Sequence, residues 1–130
     1  MSDEALTSLE QMALDMALSV ELDWARELRK QIPMLKVAHR EHTGVGLWVD
    51  FVLSGECEPV LVPLDDPEYP PAIIVRHKDM PDLGDFLVFT KDGFIQALEG
   101  TAHGDGVWPS VSRLEDFELF PQRSGVPPES

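Results

Sequence analysis

Apolar residues recur every three or four positions near the start of the chain. Leu6, Leu9, Ala13, Met16, Val20, Trp24, Leu28 and Ile32 form a single stripe, the pattern of an amphipathic helix laid on a core. The spacing predicts helix over residues 3–32, as one helix or as two broken near Ser19. Thr7 followed by Glu10 has the spacing of a capping box, in which each residue satisfies a backbone donor of the other. Asp3 and Glu4 stand at the expected start, and Arg26, Arg29 and Lys30 near the expected end, which suits the helix dipole. Pro33 closes the stretch, because the residue before a proline avoids helical angles.

Beyond Pro33 the period shortens to two. Residues 34–42 are a weak strand candidate, and residues 45–53 a strong one. In the latter Val45, Leu47, Val49, Phe51 and Leu53 alternate with Gly46, Trp48, Asp50 and Val52. Residues 58–63 read as a short strand, and residues 64–71 as an acidic, proline-rich loop that a central sheet would not admit. Residues 72–76 resume a β-branched strand. Residues 86–91 and 94–99 flank Asp92-Gly93, a strong hairpin signal. A plain two-residue loop pairs Phe89 with Gln96, Leu87 with Leu98 and Phe86 with Glu99; a bulge would shift that register. Both faces of this hairpin are apolar over much of their length, so it must be covered twice or present one face as a contact surface. Val111, Leu114, Phe117, Leu119 and Phe120 follow, enough to cover the second face or add an edge strand. The expected architecture is α+β: an N-terminal helix or helical pair on a mainly antiparallel sheet of about five strands. It occupies residues 1–120, with a tail over residues 121–130.

Composition narrows the classes of partner. The chain of 130 residues carries 24 acidic and 10 basic residues, a formal net charge of −14. Such a field repels a phosphate backbone and anionic membrane surfaces, so neither nucleic acid nor membrane is an expected partner. It attracts and steers a basic protein. The lone cysteine, Cys57, excludes an internal disulfide and suits a reducing cytoplasm. The acidic start is unlike a signal peptide, and no apolar run approaches the length of a membrane span.

Catalytic and metal-binding patterns are weak. His39 and His42 lie three apart on an expected strand, hence on opposite faces, and His77, His103 and Asp50 are scattered. No metal or cofactor is expected. Cys57 sits between Glu56 and Glu58, a poor setting for a nucleophile. No nucleophile-elbow pattern surrounds Ser54, Ser110 or Ser112. Paired carboxylates such as Asp65-Asp66 and Glu115-Asp116 are expected by chance in so acidic a chain, and no residue is assigned as catalytic. The richest stretch is residues 89–110, "FTKDGFIQALEGTAHGDGVWPS". Gly100, Gly104 and Gly106 permit a sharp corner, Asp105 can bond within the turn, and Trp108 can pack back on the sheet. Glu99 is expected to accept backbone N–H groups from this corner. Glu99, His103, Asp105 and Trp108 form the candidate binding loop.

Two segments, "REHTGVGLWVDF" at residues 40–51 and "GDFLVFTKDGFIQALEGTAHGDGVWP" at residues 84–109, resemble a pattern in small uncharacterised bacterial proteins. Those proteins carry Arg-Glu-x-Thr-Gly-x-Gly and, later, Leu-Glu-Gly-x-x-x-Gly-Asp…Trp-Pro. The matching positions here are Arg40, Glu41, Thr43, Gly44, Gly46, Leu98, Glu99, Gly100, Gly104, Asp105, Trp108 and Pro109. Such proteins commonly carry an aromatic residue where His103 stands, which weakens a catalytic role for it. Some resemble immunity or accessory proteins encoded beside polymorphic toxins. The resemblance implies no reaction and no ligand.

Three functional expectations follow. The first is a cytoplasmic protein-binding protein of the immunity type that neutralises a basic bacterial toxin. The second is a small enzyme or ligand-binding domain with a pocket beside Glu99, His103 and Asp105. The third is a homo-oligomeric structural protein that uses the second apolar face of the hairpin.

Overall fold

A computed structural model describes residues 4–110 and 112–121. Two helices, α1 (Ser8–Ala17) and α2 (Asp23–Arg29), precede six strands: β1 (Leu35–His42), β2 (Gly46–Leu53), β3 (Ala72–His77), β4 (Gly84–Lys91), β5 (Phe94–Ala102) and β6 (Phe117–Pro121). The strands form one antiparallel sheet in the order β1-β2-β5-β4-β3-β6. The α+β arrangement read from the sequence is therefore present, with a helical pair and six strands. The sixth is the segment after Trp108, which joins the edge beside β3. Residues 58–63, expected as a strand, join no strand of the sheet; they are held at Val60, whose N–H donates to the Gly93 carbonyl at 2.8 Å. Of the expected tail, Pro121 ends β6 and residues 122–130 lie outside the described residues.

The capping box starts α1 as the sequence implies. The Thr7 hydroxyl accepts from the Glu10 N–H at 3.1 Å, and the Glu10 carboxylate accepts from the Thr7 N–H at 2.8 Å. The apolar stripe then turns onto the sheet, and α1 packs against β3, β4 and β6. Leu9, Ala13, Leu14, Ala17, Leu18, Ala25 and Leu28 are buried among Val49, Ile73, Val75, Phe86, Val88 and Leu98. Each of the larger of these side chains, the leucines, valines, isoleucine and phenylalanine, contributes roughly 1.5–3 kcal/mol by leaving water.

Two buried polar groups fasten this layer. The Gln31 side chain, 2% exposed, donates to the carbonyls of Glu58 (3.2 Å) and Gly93 (3.0 Å) and accepts from the Ile95 N–H (2.9 Å). It ties the helical layer, the segment at residues 58–63 and the hairpin tip together. Glu10 is also 2% exposed, and Arg40 on β1 meets its carboxylate in a fork, Nε to Oε2 at 2.6 Å and Nη2 to Oε1 at 2.9 Å. Arg40 further donates to the Glu4 carboxylate at 2.6 Å. The hydrogen bonds that Arg40 donates to Glu10 hold the guanidinium pKa above its ordinary value, against the opposing pull of desolvation and with the Coulombic help of Glu10 and Glu4. The bidentate geometry satisfies a carboxylate that would otherwise be buried unpaired.

Arg40 reaches Glu10 only because β1 is bulged. Val37 pairs with Phe51 and His39 with Asp50, so Ala38 is passed over. The extra residue inverts the alternation that follows it. Arg40 then points to the helices and Glu41 to the opposite face. Arg40→Ala is expected to destabilise the fold by about 3–5 kcal/mol, since it strands a buried charge. Urea unfolding followed by far-UV circular dichroism measures the loss, and Glu10→Gln/Arg40→Leu should recover part of it.

Candidate functional site

The side of the sheet away from the helices is built from the alternate residues of all six strands. One row runs across it as Glu41, Trp48, Glu99, Leu87 and Ala72, each the direct partner of the next. A second row is His39, Asp50, Ala97 and Phe89, and a third holds Thr101, Asp85, Ile74 and Phe120. Trp48, Leu87, Phe89 and Phe120 are half-buried. Ile74 and Ala97 are buried, yet they stand apart from the continuous core under the helices. Among the described residues no helix lies over this face. It is the second apolar face that the hairpin pattern requires.

Its chemistry is aromatic and anionic. Trp48 stacks on Phe89 with ring centroids 5.7 Å apart and planes inclined by 23°. The Trp48 indole N–H donates to Asp50 Oδ1 at 2.8 Å, which fixes the ring on the sheet. Glu99 lies between Trp48 and Leu87, and among the described residues its carboxylate takes no hydrogen bond. Farther along, the Arg76 guanidinium sits 5.5 Å from the Phe120 ring centre.

A second bulge decides that Glu99 belongs here. The Asp92-Gly93 turn has positive φ at both residues, +54° and +87°, the geometry of a two-residue hairpin loop. Lys91 pairs with Phe94 and Thr90 with Ile95, but Phe89 pairs with Ala97, so Gln96 is passed over. The unbulged register is thereby corrected: Glu99 faces Leu87 rather than Phe86, and Gly100 takes the place opposite Phe86. One residue of slip carries Glu99 from the helix side to the open side.

The same slip explains the corner that follows. A Cβ on Gly100 would lie 2.7 Å from the Trp108 ring and 2.9 Å from Phe86. Trp108, 2% exposed, fills that space and packs edge-on to Phe86, centroids 5.2 Å apart. Its N–H donates to the Gly44 carbonyl at 3.0 Å, and its indole N–H to Ser112 Oγ at 3.0 Å. Gly46 is equally constrained, because a Cβ there would meet the Gly100 carbonyl oxygen. Several positions of the two sequence segments, Arg40, Gly44, Gly46, Gly100 and Trp108, are thus engaged in the fold itself.

The four residues expected to share a binding loop are separated. Trp108 is buried on the helix side and Glu99 stands on the open side, so strand alternation divides them. Asp105 is exposed and, among the described residues, makes no side-chain hydrogen bond; the turn is closed instead by the Gly106 N–H donating to the His103 carbonyl at 3.1 Å. Glu99 does not hold that corner shut. His103 pairs with Asp85, Nε2 to Oδ2 at 3.0 Å, and lines a cleft of about 960 Å³ with His77, Asp82, Asp116 and Phe117. In that cleft, desolvation raises the Asp116 carboxyl pKa, but the hydrogen bond and charge of Arg113, with Lys78, outweigh it and hold the value below the ordinary range.

Trp48, Glu41, Asp50, Leu87 and Phe89 are the residues that sequence reasoning did not assign to a site. The available signal was the double apolar character of the hairpin, which marked a contact face without naming its members. His39 and His42 do fall on opposite faces, opposite Asp50 and Leu47. Among the described residues no three His, Cys, Asp or Glu side chains converge on a metal-sized space, and no helix is long and apolar enough to cross a membrane. Compared with protein-family models, curated protein sequences and solved structures, the chain finds no match.

Two substitutions separate the roles of adjacent residues. Glu99→Gln is expected to change the unfolding free energy by less than about 0.5 kcal/mol, as for a surface group without structural partners. Gly100→Ala is expected to cost about 1–3 kcal/mol by overpacking and to red-shift tryptophan emission as Trp108 is displaced. Paired urea titrations by circular dichroism and fluorescence check both.

Proposed function

We propose that this chain is a protein-binding module whose open sheet face seats a basic partner, with neutralisation of a basic toxin in the manner of an immunity protein as its cellular role. The observation that carries the reading is the open face, where Trp48, Leu87, Phe89, Ile74 and Phe120 share one side of the sheet with Glu99 and Asp50. Solvent-facing sheet surfaces are ordinarily polar, and aromatic side chains are enriched where proteins meet. The net charge of −14 selects a cationic partner through long-range attraction. The resemblance to immunity-like bacterial proteins supports the cellular role.

Self-association through the same face is opposed at long range by the net charge of −14 that each copy carries.

The test is affinity capture from the native host with elution along a salt gradient. A partner of high isoelectric point is expected, released steeply as salt rises. Leu87→Lys/Glu99→Lys should abolish capture, whereas Glu27→Lys on α2 should retain it. Co-expression of the chain should protect cells from that partner. A neutral or acidic partner, or capture indifferent to the double substitution, overturns the reading.

A further inference from the structure

Charge and aromatic surface coincide at an indentation of the open face. A cleft of about 270 Å³ is lined by Glu41, Thr43, Trp48, Glu99 and Thr101, together with Val45, Gly46, Leu47 and Gly100. Trp48 stands in the middle of the row, with Glu41 directly opposite it on β1 and Glu99 directly opposite it on β5. Neighbouring strands lie about 4.8 Å apart, so the two carboxylate-bearing residues are about 10 Å apart across the indole. The indole cannot swing away, because it is stacked on Phe89 and its N–H is bonded to Asp50. Glu99 has no hydrogen bond among the described residues, and Glu41 has only His39 Nε2, at 3.7 Å.

We infer that this cleft is the anchor point for one arginine side chain of the protein partner. The inference rests on the open-face reading given above. An aromatic face attracts a cation through its quadrupole, and a carboxylate on each side supplies acceptors at both edges. Guanidinium is the cation that matches. It is planar, so it stacks flat on an indole, and its five N–H donors point outward in the plane toward both flanks. An ammonium is a compact, strongly hydrated point charge that uses one flank at a time. The hydroxyls of Thr43 and Thr101 at the rim add neutral acceptors. The anchor sits on the carboxylate-rich half of the face, and the apolar half, with Leu87, Ile74 and Phe120, is left for the surrounding contact. That division follows the usual anatomy of an interface, where one or two aromatic or arginine anchors dominate the binding energy.

The probe is N-acetyl-argininamide, titrated into ¹⁵N-labelled full-length chain and followed by NMR. The Trp48 indole N–H resonance is assigned with Trp48→Phe. Saturable shifts are expected at Trp48 and at the backbone amides of Glu41, Glu99 and Thr101. N-acetyl-citrullinamide, the neutral isostere, should bind at least about tenfold more weakly, and N-acetyl-lysinamide should fall between the two. Glu99→Gln should weaken the arginine probe about tenfold, and Glu41→Gln/Glu99→Gln should remove saturation, with the unfolding midpoint of each variant measured alongside. Equal binding of the citrulline probe, indifference to the double substitution, or shifts confined to another face overturns the inference. Capture of a basic partner that survives Glu41→Gln/Glu99→Gln but not Leu87→Lys overturns the arginine anchor and leaves the open-face reading standing. Probe binding without capture of a basic partner overturns the open-face reading instead.

Discussion

Two short helices supply one apolar layer, and a six-stranded sheet has two faces to cover. That mismatch governs this molecule. The helices take the side bearing Val49, Ile73, Val75, Phe86, Val88 and Leu98, where a continuous core forms. The other side retains the buried Ile74 and the half-buried Trp48, Leu87, Phe89 and Phe120. A sheet face of that composition loses free energy to water unless something comes to lie on it. The functional reading grows from this unmet burial, and the carboxylates set among the rings specify what kind of surface would complete it.

Which residues reach which face is settled by two inserted residues. Ala38 in β1 and Gln96 in β5 have no partner across the ladder, and each inverts the alternation downstream. The first turns Arg40 toward the helices, where it neutralises the buried Glu10, and sends Glu41 outward. The second sends Glu99 outward and leaves Gly100 opposite Phe86, with Trp108 in the space that a side chain would need. Core-facing and open-face chemistry therefore alternate along single strands. Glu99 and Gly100 are neighbours in the chain, yet one faces solvent and the other faces a buried indole.

Charge acts here at two ranges. The pair of buried Glu10 with part-buried Arg40 is bidentate and short-range, and it holds α1 to the sheet edge. The excess of acidic residues over the surface is long-range and screened by salt, so it bears on encounter rather than on folding. The open face joins the two regimes. Its carboxylates lie beside aromatic rings, where a seated cation would be partly desolvated and each contact would strengthen accordingly.

The amino-acid sequence by itself determined the helical stripe, its capping box, the period-two strands, the Asp92-Gly93 hairpin and the acidic excess. Each is a local or compositional property, readable because propensity and periodicity act over a few residues. It also marked the hairpin as apolar on both sides, hence the existence of a second surface. Tertiary structure alone decided the membership of that surface. A bulge is one residue with no partner, and nothing in "LVFTKDGFIQALEG" marks Gln96 as the residue to be passed over. Its placement follows from fitting Gly100 beneath Trp108 and Leu98 into the core. Those contacts join residues far apart in the chain or on different strands, and only the packed sheet makes them compete.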